Sequence, residues 1–191
     1  MLMDVNPSRD DIVKIDRWGK LPLTDNSIGS IVIDLPFVVS PQKAPSVSKR
    51  KDGSNIIFNR FSSYYPVDNL YFSYYHWIFE AYRVLHDGGI CIFKTQSTIS
   101  GGIRHNTEEF SFMAAQRVGF KMVDSFTLLA KSRIISSGKY KNGQKHSRNY
   151  ISKFLIFKKE SKVRNKEFNY EKLLDICEEK ETNGYYDIVE K

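Results

Sequence analysis

Apolar residues along this chain are grouped into short continuous runs, separated by helical and turn-rich stretches. Residues 31–37 read Ile-Val-Ile-Asp-Leu-Pro-Phe, so three β-branched residues run directly into an acid and a proline. Such a run suits a strand buried on both faces of a parallel sheet. Pro36 removes a backbone donor and stops the strand. The pattern predicts a central strand over residues 28–33, with Asp34, Pro36 and Phe37 at its carboxyl end.

Two shorter strand ends precede this run. Residues 2–7 have the pattern of a strand end with Asp4 near its tip, and residues 11–16 are predicted to be a short strand ending at Asp16. Parallel strands gather their carboxyl ends at one sheet edge, where ligands of open α/β sheets bind. The three acids, including Asp34, are therefore expected along one edge. The alternatives are a frayed, solvated N-terminus at Asp4 and an ordinary strand with a Pro turn after Asp34.

Two helices are predicted downstream. Residues 67–86 place apolar side chains three and four apart, as in an amphipathic helix. Asp68 is placed to cap its start, and Asp87-Gly88-Gly89 to end it. A second helix is predicted to begin at Asn106 or Thr107 and to end at Gly119. The apolar stripe of the first helix, which is expected to be core, is Leu70, Tyr74, Trp77, Ile78, Ala81 and Leu85.

Further strands are predicted at residues 90–93, 120–130 and 150–157, and the last two are expected to pair as an antiparallel hairpin. Residues 97–104 have the composition of a Ser/Gly loop. The charged stretch after the hairpin predicts an appended helix around residues 170–180. The sequence thus predicts an α/β domain over residues 1–159 and a charged helical extension over residues 160–191.

Two long polar stretches, residues 38–66 and 131–149, interrupt these elements. Cations interleaved with aromatic residues suit phosphate contact and base stacking. A mobile surface flap is the alternative for the first stretch, and a solvated hairpin tip for the second. The candidate nucleic-acid contacts are Lys49, Arg50, Lys51, Arg60, Lys131, Arg133, Lys145, His146 and Arg148.

The charge balance supports a phosphate-rich partner. The 191-residue chain has a net charge of +7. Residues 1–157 hold 21 basic and 13 acidic residues, whereas residues 158–191 hold 8 and 9. The basic excess therefore lies in the part that carries the candidate site, which is the electrostatic footprint of nucleic-acid binding. A basic surface without a nucleic-acid partner is the alternative.

Composition also narrows the class of protein. No apolar run approaches the ~18 residues of a membrane-spanning helix, and the first residues do not form a signal peptide. Cys91 lies in an apolar strand run and Cys177 in a charged helical run, so the two cysteines predict neither a disulfide framework nor a metal site. The expectation is a cytoplasmic protein with no membrane partner and no metal.

The order of these parts and two motifs resemble a known family. Residues 34–37 read Asp-Leu-Pro-Phe, close to D-P-P-[FYW], and residues 83–89 read Arg-Val-Leu-His-Asp-Gly-Gly, close to R-V-L-x-x-G-G. Over roughly residues 1–159 the chain resembles class I S-adenosylmethionine-dependent methyltransferases, in particular the small phage and bacterial DNA amino-methyltransferases of the adenine-N6/cytosine-N4 type. The resemblance implies a Rossmann-like α/β sheet with a C-terminal antiparallel hairpin.

The resemblance also implies roles for individual residues. The catalytic motif falls on Asp34, Leu35, Pro36 and Phe37, which would hold an exocyclic amine of a base. S-adenosylmethionine is the implied cofactor, and Asp4, Asp16 and Lys94 are the implied cofactor-binding residues. The implied partner is nucleic acid, with DNA expected.

The chain departs from the family pattern in two places. Leu35 replaces the first proline, and D-x-P-F variants occur in RNA amino-methyltransferases of the same fold. The family's first strand and its Gly-rich loop are not found before Asp4, so the first strand is expected to be missing. A truncation, a mis-assigned start and a second chain that completes the cofactor site are the open explanations. The alternative functions are an RNA amino-methyltransferase and a catalytically silent nucleic-acid-binding subunit.

Overall fold

The computed structural model of the chain describes residues 1–39, 63–64, 66–100, 103–129 and 151–160. The described elements are mixed α and β. In chain order they are β1 (Met3–Asp4), β2 (Val13–Lys14), β3 (Ile28–Asp34), β4 (Val38–Val39), β5 (Ser63–Tyr64), α1 (Asp68–Val84), β6 (Leu85–Thr95), β7 (Thr98–Ser100), β8 (Ile103–His105), α2 (Thr107–Val118), β9 (Phe120–Leu129) and β10 (Ile151–Lys159).

The main sheet has four strands in the order β3-β6-β10-β9. β3 and β6 are parallel, whereas β10 is antiparallel to both β6 and β9. The predicted pairing of the last two strands is therefore confirmed, and β10 lies between β6 and β9. In the middle strands every second side chain is buried, including Phe93, Leu155 and Phe157. Both helices pack against this face, which forms the core.

The prediction that β3 is a central strand buried on both faces is wrong for the described sheet. β3 pairs only with β6 there and forms the sheet's edge. Ile33 is 7% exposed, but Val32, which points to the other face, is 67% exposed. The apolar residues of this run alternate between two faces of the sheet. One face packs against the helices, and no described element covers the other. Periodicity alone does not distinguish these two situations.

α1 starts and ends differently from the prediction. Asp68 is its first residue and does not cap it, because Val67 is at the N-cap position and makes no side-chain cap bond. The helix ends at Val84, three residues before Asp87, and Leu85 is already extended. Gly88 lies within β6 with φ +79°, where a register shift opposite β3 requires a left-handed residue.

Tertiary hydrogen bonds explain this early helix end. The backbone N–H groups of Asn26 and Ser27 donate to the carbonyls of Arg83 and Val84 at 2.9 and 2.8 Å. The buried Lys159 Nζ donates to the carbonyls of Tyr82 and Leu85, both at 2.8 Å. The orphan carbonyls at the end of a helix are thus satisfied by β10 and by the approach to β3, so no glycine cap is needed.

Two further predictions need correction. The expected Ser/Gly loop contains a short antiparallel pair, β7 with β8. β1 and β2 are parallel but form a separate two-stranded sheet. Among the described residues, no ladder joins that pair to the sheet that carries Asp34, so the three predicted acids do not share one sheet edge. The end of α2 follows the prediction, because Gly119 adopts φ 117° and its N–H donates to the carbonyls of Ala115 and Gln116.

An ion-pair network fixes the segment before β3 to α1. The Glu80 carboxylate, 2% exposed, accepts the backbone N–H of Leu21 at 2.8 Å and both Nε and Nη2 of Arg83 at 2.9 and 2.7 Å. Arg83 also donates to the carbonyls of Leu21 and Leu23 and to the Asp25 carboxylate. Every strong donor and acceptor in this network has a partner, as burial of charge requires.

No helix in the described part of the chain combines the length and apolarity needed to cross a membrane.

The Glu80 network makes a prediction about stability. Burial raises the pKa of Glu80, but the bonds from Arg83 and Leu21 outweigh it and hold the pKa below its ordinary value. A carboxyl group with a depressed folded-state pKa stabilises the protein above its unfolded pKa, and this contribution is lost as the pH falls through the folded pKa. We expect urea unfolding to show stability falling below about pH 4.5, with a shallower fall in Glu80→Gln.

The same substitution tests the strength of the network at neutral pH. Glu80→Gln leaves a buried Arg83 with a weaker partner and should lower the free energy of unfolding by about 2–4 kcal/mol. Glu160→Gln is the control, because its carboxylate is exposed and pairs with Lys121 at 3.6 Å, and it should change stability by less than about 0.5 kcal/mol. Equal effects of the two substitutions would show that the network does not hold the fold.

Candidate functional site

The candidate site lies at the carboxyl ends of β3 and β6, which are parallel neighbours. Asp34, the last residue of β3, is in register with Lys94 of β6. Lys94 Nζ donates to Asp34 Oδ2 at 2.8 Å. The Asp34 side chain is 59% exposed, whereas that of Lys94 is 23% exposed. The pair leaves the acid open to solvent while one of its oxygens is held.

Residues 34–37 form a corner, which we call the 34–37 corner. After Asp34, residues Leu35, Pro36 and Phe37 have no regular structure and are half-buried. The chain then enters β4, which pairs in parallel with β5. Val39 and Tyr64 of this small sheet are buried, so the chain is anchored directly after the corner. The strand end, the proline and this anchor together limit the positions that Phe37 can take.

A buried phenol packs against β6, the strand that carries Lys94. Tyr74 of α1 is fully buried and packs edge-on against Phe93 of β6, with ring centroids 5.2 Å apart. Among the buried side-chain polar atoms of the described residues, its hydroxyl oxygen is the one without a hydrogen-bond partner. Burial raises the pKa of Tyr74, the neighbouring Tyr64 phenol and, to a smaller extent, the charge of Asp34 add to that rise, and Thr95 opposes it. The sequence pattern identified Tyr74 only as core, since a phenol in a helical apolar stripe carries no signal of a nearby carboxylate.

The predicted cofactor acids lie at the ends of the β1–β2 pair. Both Asp4 and Asp16 are exposed. Asp4 Oδ1 accepts the backbone N–H of Asn6 at 2.7 Å, and the Asp4 carbonyl accepts the N–H of Ile15 at 3.0 Å. The parallel pairing places Asp4 beside Lys14, where β2 ends, two residues before the Asp16 at which the sequence predicted the strand to end. Lys94, the third residue predicted to bind the cofactor, instead forms an ion pair with Asp34.

Hydrogen bonds join the segment after Asp16 to α1. Trp18 Nε1 donates to Ser73 Oγ at 2.7 Å, and Trp77 Nε1 donates to the Arg17 carbonyl at 3.1 Å. His76 Nε2 lies 3.0 Å from the Gly19 carbonyl. α1 therefore contacts both the strand that carries Asp34 and the segment that follows Asp16. The sequence gives no sign of these contacts, because indole donors and backbone acceptors show no periodicity.

Cross-strand register extends the site across the sheet. Asp34 and Lys94 are followed in the same row by Phe154 of β10 and Phe126 of β9. The two phenyl rings are stacked, with centroids 4.6 Å apart and an interplanar angle of 7°. Sequence reasoning did not select either phenylalanine, since their alignment depends on β10 lying between β6 and β9.

The predicted nucleic-acid contacts lie outside the described residues, and they are Lys49, Arg50, Lys51, Arg60, Lys131, Arg133, Lys145, His146 and Arg148. Near the first of the two polar stretches, the Arg17 guanidinium lies 5.7 Å from the centre of the Tyr64 ring, a cation–π contact that the sequence did not predict. Within the parts of the chain that are described, no three His, Cys, Asp or Glu side chains cluster as metal ligands.

The chain was compared with known proteins in three ways. No protein-family model matches it, and no curated protein matches it. Solved structures that resemble it include three crystal structures of TTHA0409 from Thermus thermophilus, a protein provisionally named a DNA modification methylase. One contains selenomethionine, and another is a complex with S-adenosyl-L-methionine.

The identities to these three structures are 16%, 14% and 14%, with TM-scores of 0.42, 0.41 and 0.42. Each match covers 76% of this chain and 50%, 52% or 53% of the other, so the chain spans about half the length of these structures. An overlap of this extent assigns neither a family nor an activity to the chain.

The ion pair at the site makes a prediction that needs no assay of activity. Because Asp34 is more than half exposed, its pairing with Lys94 should contribute modestly to stability. A double-mutant cycle of Asp34→Ala and Lys94→Ala, measured by urea unfolding, should give a coupling energy of about 0.2–1 kcal/mol. The coupling should decrease at high salt, because the pair is partly solvated. A coupling of zero at low salt would show that the two side chains do not pair in solution.

Proposed function

We propose that the protein is an S-adenosylmethionine-dependent methyltransferase that acts on an exocyclic amine of a nucleic-acid base, either adenine N6 or cytosine N4 in DNA. The observation that carries this proposal is the 34–37 corner itself. An exposed carboxylate, a backbone carbonyl and an aromatic ring follow one another at the carboxyl end of a parallel strand. That end of an α/β sheet is where ligands bind.

The corner supplies what a weak amine nucleophile requires. The lone pair of an exocyclic amine is conjugated with the ring, so the nitrogen is planar and unreactive. In the proposed mechanism, the Asp34 carboxylate and the Leu35 carbonyl accept its two N–H hydrogens and favour a pyramidal nitrogen. Phe37 stacks on the base and contributes about 1–3 kcal/mol of binding.

Proton transfer can also be assigned to this site. Transfer of the methyl group would break its bond to the sulfonium sulfur, form the N–C bond and release the neutral thioether. One N–H proton would pass from the amine to Asp34 and then to water, which the 59% exposure of that side chain allows. Lys94 Nζ, which donates to Asp34 Oδ2 at 2.8 Å, holds one Asp34 oxygen in place and leaves the other to face the amine. The proposed chemistry forms no covalent intermediate with the protein, so it requires no cysteine.

The proposed cofactor residues are compatible with S-adenosylmethionine, which supplies an electrophilic methyl group when bound. Asp4 and Asp16 are exposed acids at adjacent strand ends of β1 and β2. A carboxylate in such a position can accept both hydroxyls of a ribose. We assign this role to Asp4 and a contact with the adenine of the cofactor to Asp16. We do not propose Lys94 as a cofactor-binding residue, because its ammonium already donates to the Asp34 carboxylate.

Charge and aromatic residues support nucleic acid as the substrate. The chain carries +7, and the basic excess lies in residues 1–157. In duplex DNA the target base must leave the stack to reach the corner. We assign the grip on phosphates to the basic residues of the stretches 38–66 and 131–149. RNA is the alternative substrate, because Leu35 stands at the second position of the motif, where the DNA enzymes of the resembling family have proline.

The catalytic assignment is tested by Asp34→Ala. Methyl transfer from labelled S-adenosylmethionine to DNA should fall by at least about 100-fold, because the amine loses its charged acceptor. Asp124→Ala is a matched control, since Asp124 is an exposed acid on the same sheet, two strands beyond Lys94. It should retain full activity. Unchanged transfer in Asp34→Ala would refute the assignment, and a parallel assay on RNA of the same sequence separates the two substrates.

The assignment of nucleic-acid contacts is tested by the salt dependence of binding. Each phosphate contact that is lost should reduce the slope of log affinity against log salt by about 0.9. Lys145→Ala with Arg148→Ala should therefore reduce the slope by about 2 and weaken binding to all sequences equally. Lys14→Ala with Lys20→Ala removes the same charge from exposed positions outside the two stretches and should leave the slope nearly unchanged. Equal changes in both double variants would mean that net charge alone determines binding.

A further inference from the structure

One face of the main sheet is not covered by any described element. Both helices pack on the face that carries Cys91, Phe93 and Phe157, each 0% exposed. We call the opposite face the open face. Its apolar side chains, in cross-strand register, are Val32, Ile92 and Ile156 in one row, Phe154 and Phe126 in the next, and Leu128 beyond them.

The open face is too apolar to be an ordinary solvated surface. Val32 is 67% exposed, Phe126 49% and Leu128 52%. Contiguous exposed apolar side chains mark a surface that another element or molecule covers. All-parallel sheets bury both faces, because the connections between their strands place helices on each face, and β3 and β6 form such a parallel pair in the described sheet. The open face therefore needs an occupant.

The chain itself provides a segment with the matching pattern. Residues 161–191, which contain the helix predicted around residues 170–180, follow shortly after β10 and lie outside the described residues. Within them, Tyr170, Leu173, Leu174 and Cys177 are spaced i, i+3, i+4 and i+7, the apolar stripe of an amphipathic helix. No other apolar stripe of this kind follows the sheet in the sequence.

Dimensions permit this segment to reach the open face. A helix over residues 170–180 would be about 16 Å long, close to the ~14 Å that separates the outer two of four adjacent strands. The nine residues 161–169 span up to about 30 Å when extended. Since β10 is an inner strand, its end lies beside the rows that need cover.

Charge is complementary as well. Exposed Lys158 and half-buried Lys94 lie on the open face, on the same side of the sheet as Ile92 and Phe154. The polar side of the segment is acidic and consists of Glu171, Asp175, Glu178 and Glu179, with Lys172 and Lys180 as its cations. Acids at the margins of the docked stripe could pair with the sheet's lysines.

We infer that residues 170–180 form an amphipathic helix that docks its Tyr170–Leu173–Leu174–Cys177 stripe on the open face of its own chain. This inference does not depend on the proposed methyltransferase activity. It makes the charged extension a structural layer of the sheet, placed on the face that also carries Asp34 and Lys94.

The native cysteines allow a direct test in the full-length protein. Cys91 is buried in the sheet, so its thiol is expected to react slowly in the folded chain. If the segment is docked, Cys177 is protected too, and the folded protein should show no fast-reacting thiol towards iodoacetamide. Unfolding in urea should expose both. We expect the folded chain to alkylate at Cys177 at least about tenfold more slowly than the unfolded chain.

Substitutions on the two surfaces make the test specific. Leu173→Gln with Leu174→Gln should restore fast alkylation of Cys177. Val32→Gln should also do so from the sheet side, and it is mild because this residue is 67% exposed in the described sheet. Lys172→Gln with Glu179→Gln, on the side of the helix opposite the stripe, is the matched control and should leave protection unchanged.

Three results would overturn the inference. The first is alkylation of Cys177 in the folded chain at the unfolded rate. The second is protection that disappears on dilution together with a dimer mass, which would assign the open face to a second copy. The third is protection that appears only when an oligonucleotide is added, which would assign the face to nucleic acid. Protection that is independent of concentration in a monomer, lost in Val32→Gln and kept in the control, supports it.

Discussion

The Glu80–Arg83 pair is the interaction on which the arrangement of the described residues depends. Glu80 is almost completely buried, so its charge is tolerable only because Arg83 and the Leu21 N–H satisfy it. Arg83 in turn holds the carbonyls of Leu21 and Leu23. The segment before β3 is thereby fixed to α1. The buried pair thus determines where β3 enters the sheet. That entry point sets the position of Asp34 relative to its partner Lys94, which lies 60 residues further along the chain.

Once β3 is in place, the register of the strands determines which residues lie together at the site. Parallel pairing of β3 with β6 places Asp34 beside Lys94, and antiparallel pairing of β10 with β6 and β9 adds the stacked Phe154 and Phe126 to the same row. Each contact follows from strand order and from the two-residue alternation of side chains. A one-residue slip of β3 would turn Asp34 to the opposite face and separate it from Lys94. The chemistry of the corner therefore depends on packing well away from it.

Much of this arrangement could be predicted from the sequence, and the failures have physical causes. The apolar run before Asp34, the spacing in α1 and the Gly119 cap are local signals, and each predicted its element correctly. The end of α1 was missed because Lys159, Asn26 and Ser27 satisfy its carbonyls, and these partners are distant in sequence. The open face was missed because a continuous apolar run looks the same whether one or both faces are covered. Neither Tyr74 nor the phenylalanine row carries a local signal that links it to Asp34.

The central claim is that the 34–37 corner directs a methyl group to an exocyclic nitrogen. Mass spectrometry of nucleosides, after the full-length chain has been incubated with labelled S-adenosylmethionine and DNA or RNA, tests it most directly. We predict the label in N6-methyladenine or N4-methylcytosine, because the corner is built from acceptors for an amine. Label on a ring carbon such as C5 of cytosine, or transfer to neither nucleic acid, would contradict the account.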